Sequence, residues 1–251
     1  AETVESVLNQ TYTKIELIVV DDGSNDGTFE KLKGYGSRIT LLTHKNRMNR
    51  GQSSSINLGL KKAQGEYIAI LDSDDYWALN KLETQVNFLR KNLDVGLVYS
   101  NGHGVDENGN AYYDMHTKHH EENNNPNKVL LDCYFLLPQN SLVRKSVYDV
   151  IGFFEEEYRS AQDHDMLIRI AEVTKMAYIP DFLFFYRRHS QSISVQGSEI
   201  RWRTGFKILE NISKIIDGRA ITIADAKRGD IGNSSKFYAE AIFDFLNFDS
   251  I

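Results

Sequence analysis

Apolar runs and helical stripes alternate along the first hundred residues. "AETVESVLNQTY" puts Val4, Val7 and Leu8 on one face of a helix. Ile15 to Val20 is an unbroken apolar run, and its lack of alternation predicts a strand buried on both faces, as in a parallel sheet. Residues 26–33 read as a helix, "RITLLTH" as a short strand, and "QSSSINLGLKKAQG" as another helix. "GEYIAILDSDDYW" is then a strand that ends abruptly in acid. This βαβα order predicts an α/β protein with a doubly wound, mostly parallel central sheet and helices on both faces.

The pattern changes after Trp77. "LNKLETQVNFLRKN" predicts a helix, "VGLVYSNG" a strand, and the Asn-Gly pair in "GVDENGNAYYD" a hairpin turn. That hairpin lacks the ligand spacing and terminal Glu of a calcium loop. Residues 115–128 are polar and irregular, which suits a loop. A helix follows from about Asp163, then the strand "MAYIPDFLFFYRRH", then a mostly helical tail. The expected organisation is one domain over residues 1–198, with its halves meeting near residue 100, and a C-terminal extension over 199–251.

Composition narrows the classes. The chain has 251 residues, 41% of them hydrophobic, and a net charge of -6, which fits one larger α/β domain with an appendage. The acidic balance speaks against nonspecific nucleic-acid binding, so no nucleic-acid partner is expected. No apolar run approaches the ~20 residues of a membrane span. A single cysteine, Cys133, leaves no internal disulfide and suits a reducing compartment. Cytoplasmic residence is the expectation.

The candidate chemistry lies at strand ends. Asp21-Asp22 closes one predicted strand and Asp72-Ser73-Asp74-Asp75 closes another. Each carboxylate resists desolvation and repels its neighbours, so a cation is expected between them. Open α/β sheets bind ligands beyond the carboxyl ends of their strands. A hard divalent ion that brings phosphate oxygens with it, Mg²⁺ or Mn²⁺, matches two acidic tips in one crevice. As an ordinary turn, "DDGSNDG" needs no ligand, and "DSDD" also suits a helix cap. No GxxxxGK[ST] and no GxGxxG follows a strand, which excludes a P-loop and a dinucleotide fingerprint.

Four stretches together carry a resemblance. "SVLNQTYTKIELIVVDDGSNDGT", "NRGQSSSINLGLKKAQGEYIAILDSDDYW", "QDHDMLIRI" and "YRRHSQSIS" occur in the order found in inverting family 2 glycosyltransferases of the GT-A fold, over residues 4–195. The resemblance implies metal-dependent, inverting transfer of a sugar from a nucleotide-diphosphate donor, expected to be a UDP-sugar, to a hydroxyl acceptor. A saccharide or lipid-linked saccharide acceptor and a place in bacterial surface polysaccharide assembly go with it. A station at the inner face of the membrane and a homodimer are further expectations. A sugar-phosphate nucleotidyltransferase and a non-catalytic sugar-nucleotide-binding module are the alternatives.

Position by position, the resemblance gives Asp22 to uracil N3–H and Gly51 to a loop wrapped closely around the nucleotide, with Arg50 facing phosphate or solvent. Asp72 and Asp74 match the DxD motif: Asp74 on the metal, Asp72 toward the ribose or the metal's water. Asp75 is expected to cap the next helix. Asp163 matches the catalytic base, with simple complementation of a helix dipole as its plainer role, and Asp165 is the reserve candidate. His189 approaches the metal or is a plain loop histidine, and Arg187 or Arg188 meets phosphate. His116, His119 and His120 lack a zinc spacing and are expected on an exposed acceptor-side loop. Two departures stand out. The family's opening strand with its Thr/Ser-Tyr-Asn segment is absent here, so the sheet and base pocket are expected to be incomplete. Gln162 also stands where Glu is frequent.

Overall fold

The computed structural model describes residues 1–118, 120, 138–158, 162–189 and 207. The chain divides into two compact units, Ala1–Gln196 and Gly197–Ile251. Everything below concerns the first. Apart from Lys207, the expected helical tail lies outside the described residues, as do His119 and Cys133.

The helices are α1 (Glu2–Leu8), α2 (Thr28–Lys33), α3 (Gln52–Lys62), α4 (Lys81–Lys91), α5 (Lys145–Ile151) and α6 (Gln162–Val173). The strands are β1 (Ile18–Asp21), β2 (Thr40–Thr43), β3 (Tyr67–Ile68), β4 (Tyr76–Trp77), β5 (Val95–Val105), β6 (Ala111–Asp114), β7 (Ser141–Arg144) and β8 (Lys175–Arg187). β1 and β2 form a parallel pair with Val19 opposite Leu41. The other six make one sheet in the order β3-β7-β5-β8-β4, with β6 added on β5.

The α/β expectation holds, and the sheet is more mixed than the apolar runs suggested. β1–β2 and β5–β8 are parallel, whereas β3–β7, β4–β8, β5–β6 and β5–β7 run antiparallel. The reversal at β5–β6 has a local cause. Asp106 Oδ1 accepts the backbone N–H groups of Asn108 and Asn110, each at 2.9 Å, and folds the chain back as a hairpin. β1 is only partly buried apart from Asp21, so its unbroken apolar run reflects packing against α3 and a small cluster rather than cover on both faces. That cluster gathers Val4, Leu32 and Ile39.

The main core lies between α4 and the six-stranded sheet. Leu82, Val86 and Leu89 recur at helical spacing on α4 and pack with Val98, Leu142, Trp77 and Phe184. Burying each such side chain contributes roughly 1.5–3 kcal/mol. Lys81, on the same helix, is fully buried. Its ammonium donates to Gln85 Oε1 at 2.8 Å and Ser141 O at 3.1 Å, and lies 4.1 Å from the centre of the Trp77 ring. Burial pulls this amine well below the ordinary lysine pKa. Gln85 Nε2 donates to Asn140 O at 2.7 Å, so α4 fixes the 3-10 turn Pro138–Asn140 from beneath.

Candidate active site

Three segments meet at the strand ends. The first follows β1. Asp22 accepts the backbone N–H groups of Arg50 at 2.6 Å and Gly51 at 2.8 Å, with one carboxylate oxygen each. The negative charge therefore sits at the N-terminal end of α3, where it complements the helix dipole. Gly51 has φ 90°, a left-handed conformation that glycine adopts without strain. Gly23 has φ 84°, and a Cβ there would meet Arg47 O at 2.7 Å, so this turn requires glycine on both counts. His44 Nε2 lies 3.6 Å from Asp22 Oδ1 and 3.0 Å from Ser55 Oγ. Asp22 thus holds the loop shut through the backbone. Arg50 contributes its N–H here.

The second segment is the acidic turn after β3. Ser73 O accepts from Thr3 Oγ1 at 2.7 Å, so α1 steadies the turn. Asp72 lies between two amides: Gln52 Nε2 donates to its Oδ1 at 2.9 Å, and Gln139 Nε2 donates to its Oδ2. Burial, then the neighbouring charges of Asp74 and Asp163, push the Asp72 carboxyl up to about 6 against the pull of the two amides. Asp75 does not cap α4. It is buried, its Oδ1 accepts the backbone N–H of Arg187 at 2.8 Å, and burial pushes its carboxyl up to about 8. The helix begins six residues later at Lys81 with Asn80 as its cap residue, beyond the reach of Asp75.

The third segment combines the end of β8 with the start of α6. His189 Nε2 lies 3.1 Å from Asp74 Oδ2, bringing together the two residues expected to hold a metal. No group of three or more His, Cys, Asp or Glu side chains suited to a metal occurs among the described residues. One carboxylate and one imidazole still fit a divalent ion whose remaining ligands are diphosphate oxygens and water. Arg187 is not the expected phosphate ligand. Its guanidinium donates to Asp74 O at 3.1 Å, Glu107 O at 2.8 Å and Glu2 Oε2 at 2.6 Å, fastening the acidic turn to the hairpin and to α1.

At the start of α6, Asp163 Oδ1 accepts the N–H of His164 at 2.9 Å, and its charge reaches Asp72. Asp165 is committed elsewhere, in a salt bridge of 2.5 Å to Arg169. Gln162 Nε2 donates to Gln52 Oε1 at 2.7 Å. The amide run from Gln162 through Gln52 and Asp72 to Gln139 therefore ties α6, α3, the acidic turn and the 3-10 turn together. Gln52 and Gln139 did not stand out in the sequence, because an isolated glutamine carries no spacing signal.

His116 differs from the exposed placement expected of it. It is 5% exposed, its ring is stacked on His120 at 4.3 Å and set edge-on to Tyr99, and burial followed by the His120 charge lowers its pKa to about 4. Asn101 holds its backbone, giving an N–H to His116 O at 3.2 Å and accepting the His116 N–H at 3.0 Å.

The mixed α/β sheet, with an acidic turn, a histidine and a helix-start aspartate gathered at its strand ends, has the fold of GT-A proteins. The chain matches the family model described as "Glycosyl transferase family 2" over residues 1–152. It is 30% identical over 196 residues to an uncharacterized glycosyltransferase of Rickettsia prowazekii, covering 75% of this chain and 59% of that protein. It is 44% identical over 107 residues, 42% of this chain and 41% of the relative, to an Escherichia coli UDP-Glc:alpha-D-GlcNAc-diphosphoundecaprenol beta-1,3-glucosyltransferase. The chain thus spans about two fifths to three fifths of these two relatives' length. Its fold matches the crystal structure of S. aureus TarS 1-349 in complex with UDP-GlcNAc, with TM-score 0.69 and 20% identity over 97% of this chain and 68% of that one. A Pyrobaculum calidifontis mannosyltransferase in complex with GDP-Man and Mn²⁺ matches with TM-score 0.55 and 18% identity, covering 98% and 66%. The chain belongs to glycosyl transferase family 2. Among the described residues, no helix is long and apolar enough to cross a membrane.

Proposed function

We propose that the chain transfers a sugar from a UDP-sugar to a hydroxyl of a saccharide or lipid-linked saccharide by a single inverting displacement. The observation that carries this reading is the 3.1 Å pairing of Asp74 with His189 beside an Asp72 that feels the charges of both Asp74 and Asp163. One end of that cluster suits a diphosphate and the other a hydroxyl about to attack. The E. coli relative uses UDP-Glc on a diphosphoundecaprenol-linked sugar, and the S. aureus neighbour binds UDP-GlcNAc. Both support the donor class, and the first supports the acceptor class.

Asp74 and His189 would hold Mg²⁺ or Mn²⁺, which when bound supplies Lewis-acid stabilisation of the departing diphosphate. Asp22, whose two oxygens each take one backbone N–H, retains lone pairs for a donor such as uracil N3–H. Gly51 lets the loop backbone approach the nucleotide. Asp72, held by its two glutamines, faces the sugar and ribose side of the donor. Asp163 accepts the proton of the acceptor hydroxyl as that oxygen attacks the anomeric carbon, whose bond to the diphosphate oxygen breaks with inversion. Arg187 keeps the acidic turn in place.

The test is release of UDP from UDP-glucose and UDP-GlcNAc in Mn²⁺, with and without a lipid-linked or free saccharide acceptor. UDP release that depends on both acceptor and metal is the expected result. Binding of UDP-sugars without acceptor-dependent release, across a broad acceptor panel, would instead favour the non-catalytic binding module.

A further inference from the structure

The two glutamines on Asp72 are not equivalent. An ionised carboxylate only accepts, so each glutamine must present its NH₂ to Asp72, and this fixes where each amide oxygen points. Gln52 Oε1 receives Gln162 Nε2 at 2.7 Å. Gln139 Oε1 is buried and receives no hydrogen bond. The residue is 7% exposed and cannot swing to find a donor. Its own C=O accepts Trp77 Nε1 at 2.8 Å, the next C=O accepts Gln85 Nε2 at 2.7 Å, and the preceding C=O accepts Ser141 Oγ at 2.8 Å. A buried acceptor pinned on three sides is costly unless something donates to it.

The place of that oxygen says what would donate. It belongs to the same planar amide that touches Asp72, and Asp72 lies within electrostatic reach of both Asp74 and Asp163. A sugar in transit must span those two groups, one on its diphosphate and one on its attacker. Its ring carries hydroxyl donors. We propose that Gln139 is a sugar-contacting residue of the donor site, in which Nε2 positions Asp72 and Oε1 accepts one hydroxyl of the transferred sugar. This rests on the glycosyl-transfer reading of the same site. Specificity follows from it: a donor lacking that hydroxyl leaves the oxygen unpaired and is discriminated against.

Calorimetry in Mn²⁺ on the full chain tests this without an identified acceptor. The probes are UDP, UDP-glucose, UDP-GlcNAc, and the 3-, 4- and 6-deoxy forms of whichever UDP-sugar binds more tightly. For the unaltered chain, one deoxy form should bind about tenfold more weakly than its parent, the worth of one hydrogen bond. In Gln139→Met, close in volume but without either polar atom, parent and deoxy form should bind within about threefold of each other. Gln139→Asn, which withdraws the oxygen by one methylene, should lose the same discrimination and covers the case that the methionine variant does not fold. Equal binding of parent and all three deoxy forms by the unaltered chain overturns the proposal. So does a variant that keeps the discrimination, since Gln139 would then serve Asp72 alone. A chain that binds neither UDP nor any UDP-sugar brings down the glycosyl-transfer reading itself, an outcome separable from the others by the UDP control.

Discussion

Asp165 is held by Arg169 at 2.5 Å, a pairing that sets it apart from its neighbour Asp163. Arg169 also donates to the carbonyls of Ile151 and Phe153, each at 3.0 Å, so Asp165 belongs to a brace under α5. Asp163, two residues earlier, keeps its carboxylate within reach of Asp72. Asp163→Asn should cut turnover by about 10²–10⁴ while donor binding stays near normal. Asp165→Asn should lower the melting temperature and leave most of the turnover. Turnover and melting measured on both variants check the assignment, and the opposite pattern would exchange the roles.

Asp74→Asn should remove the metal dependence of donor binding, because one ligand charge is lost beside His189. UDP affinity with and without Mn²⁺ should become nearly equal in the variant, and chelation should bring the unaltered protein to the same level. A variant that still gains affinity from Mn²⁺ would move the metal away from Asp74.

Asp22→Ala has two expected effects. Two backbone N–H groups lose a charged acceptor, which should cost about 1–3 kcal/mol in denaturant unfolding. UDP should also weaken more than pyrophosphate does, since the phosphates do not depend on this side chain. Equal losses for the two ligands would mean that Asp22 only closes the loop.

His116 makes acid stability testable. Its pKa in the fold is about 4 against an ordinary 6.5, so the folded protein keeps the ring neutral where the unfolded chain takes up a proton. The stability it contributes is complete above about 6.5 and is lost as the pH falls toward 4. His116→Phe should flatten that loss by on the order of 2 kcal/mol, read from denaturant midpoints across the interval. An unchanged pH slope would place the acid sensitivity elsewhere.

The sequence by itself determined the α/β class and the acidic strand ends, and it singled out Asp74, His189 and Asp163 as candidates. Periodicity and strand-end carboxylates are local signals, and both survive folding unchanged. Sheet direction was less legible. An apolar run looks alike in either orientation, and only pairing distinguishes the antiparallel β7 from the parallel β8 on the two sides of β5.

Only the tertiary structure decided which charged groups are already spoken for. Asp75 meets Arg187 across 112 positions of sequence, and Gln52 meets Gln162 across 110. Arg187, one of the two arginines read as meeting phosphate, is engaged by backbone carbonyls and Glu2. His116, read as exposed, is enclosed by Tyr99, His120 and Tyr178. Such assignments depend on which side chains desolvate one another, and desolvation is a property of packing that no residue carries in its own type. The chemistry of each group was written in the chain; its availability was set by its neighbours in space.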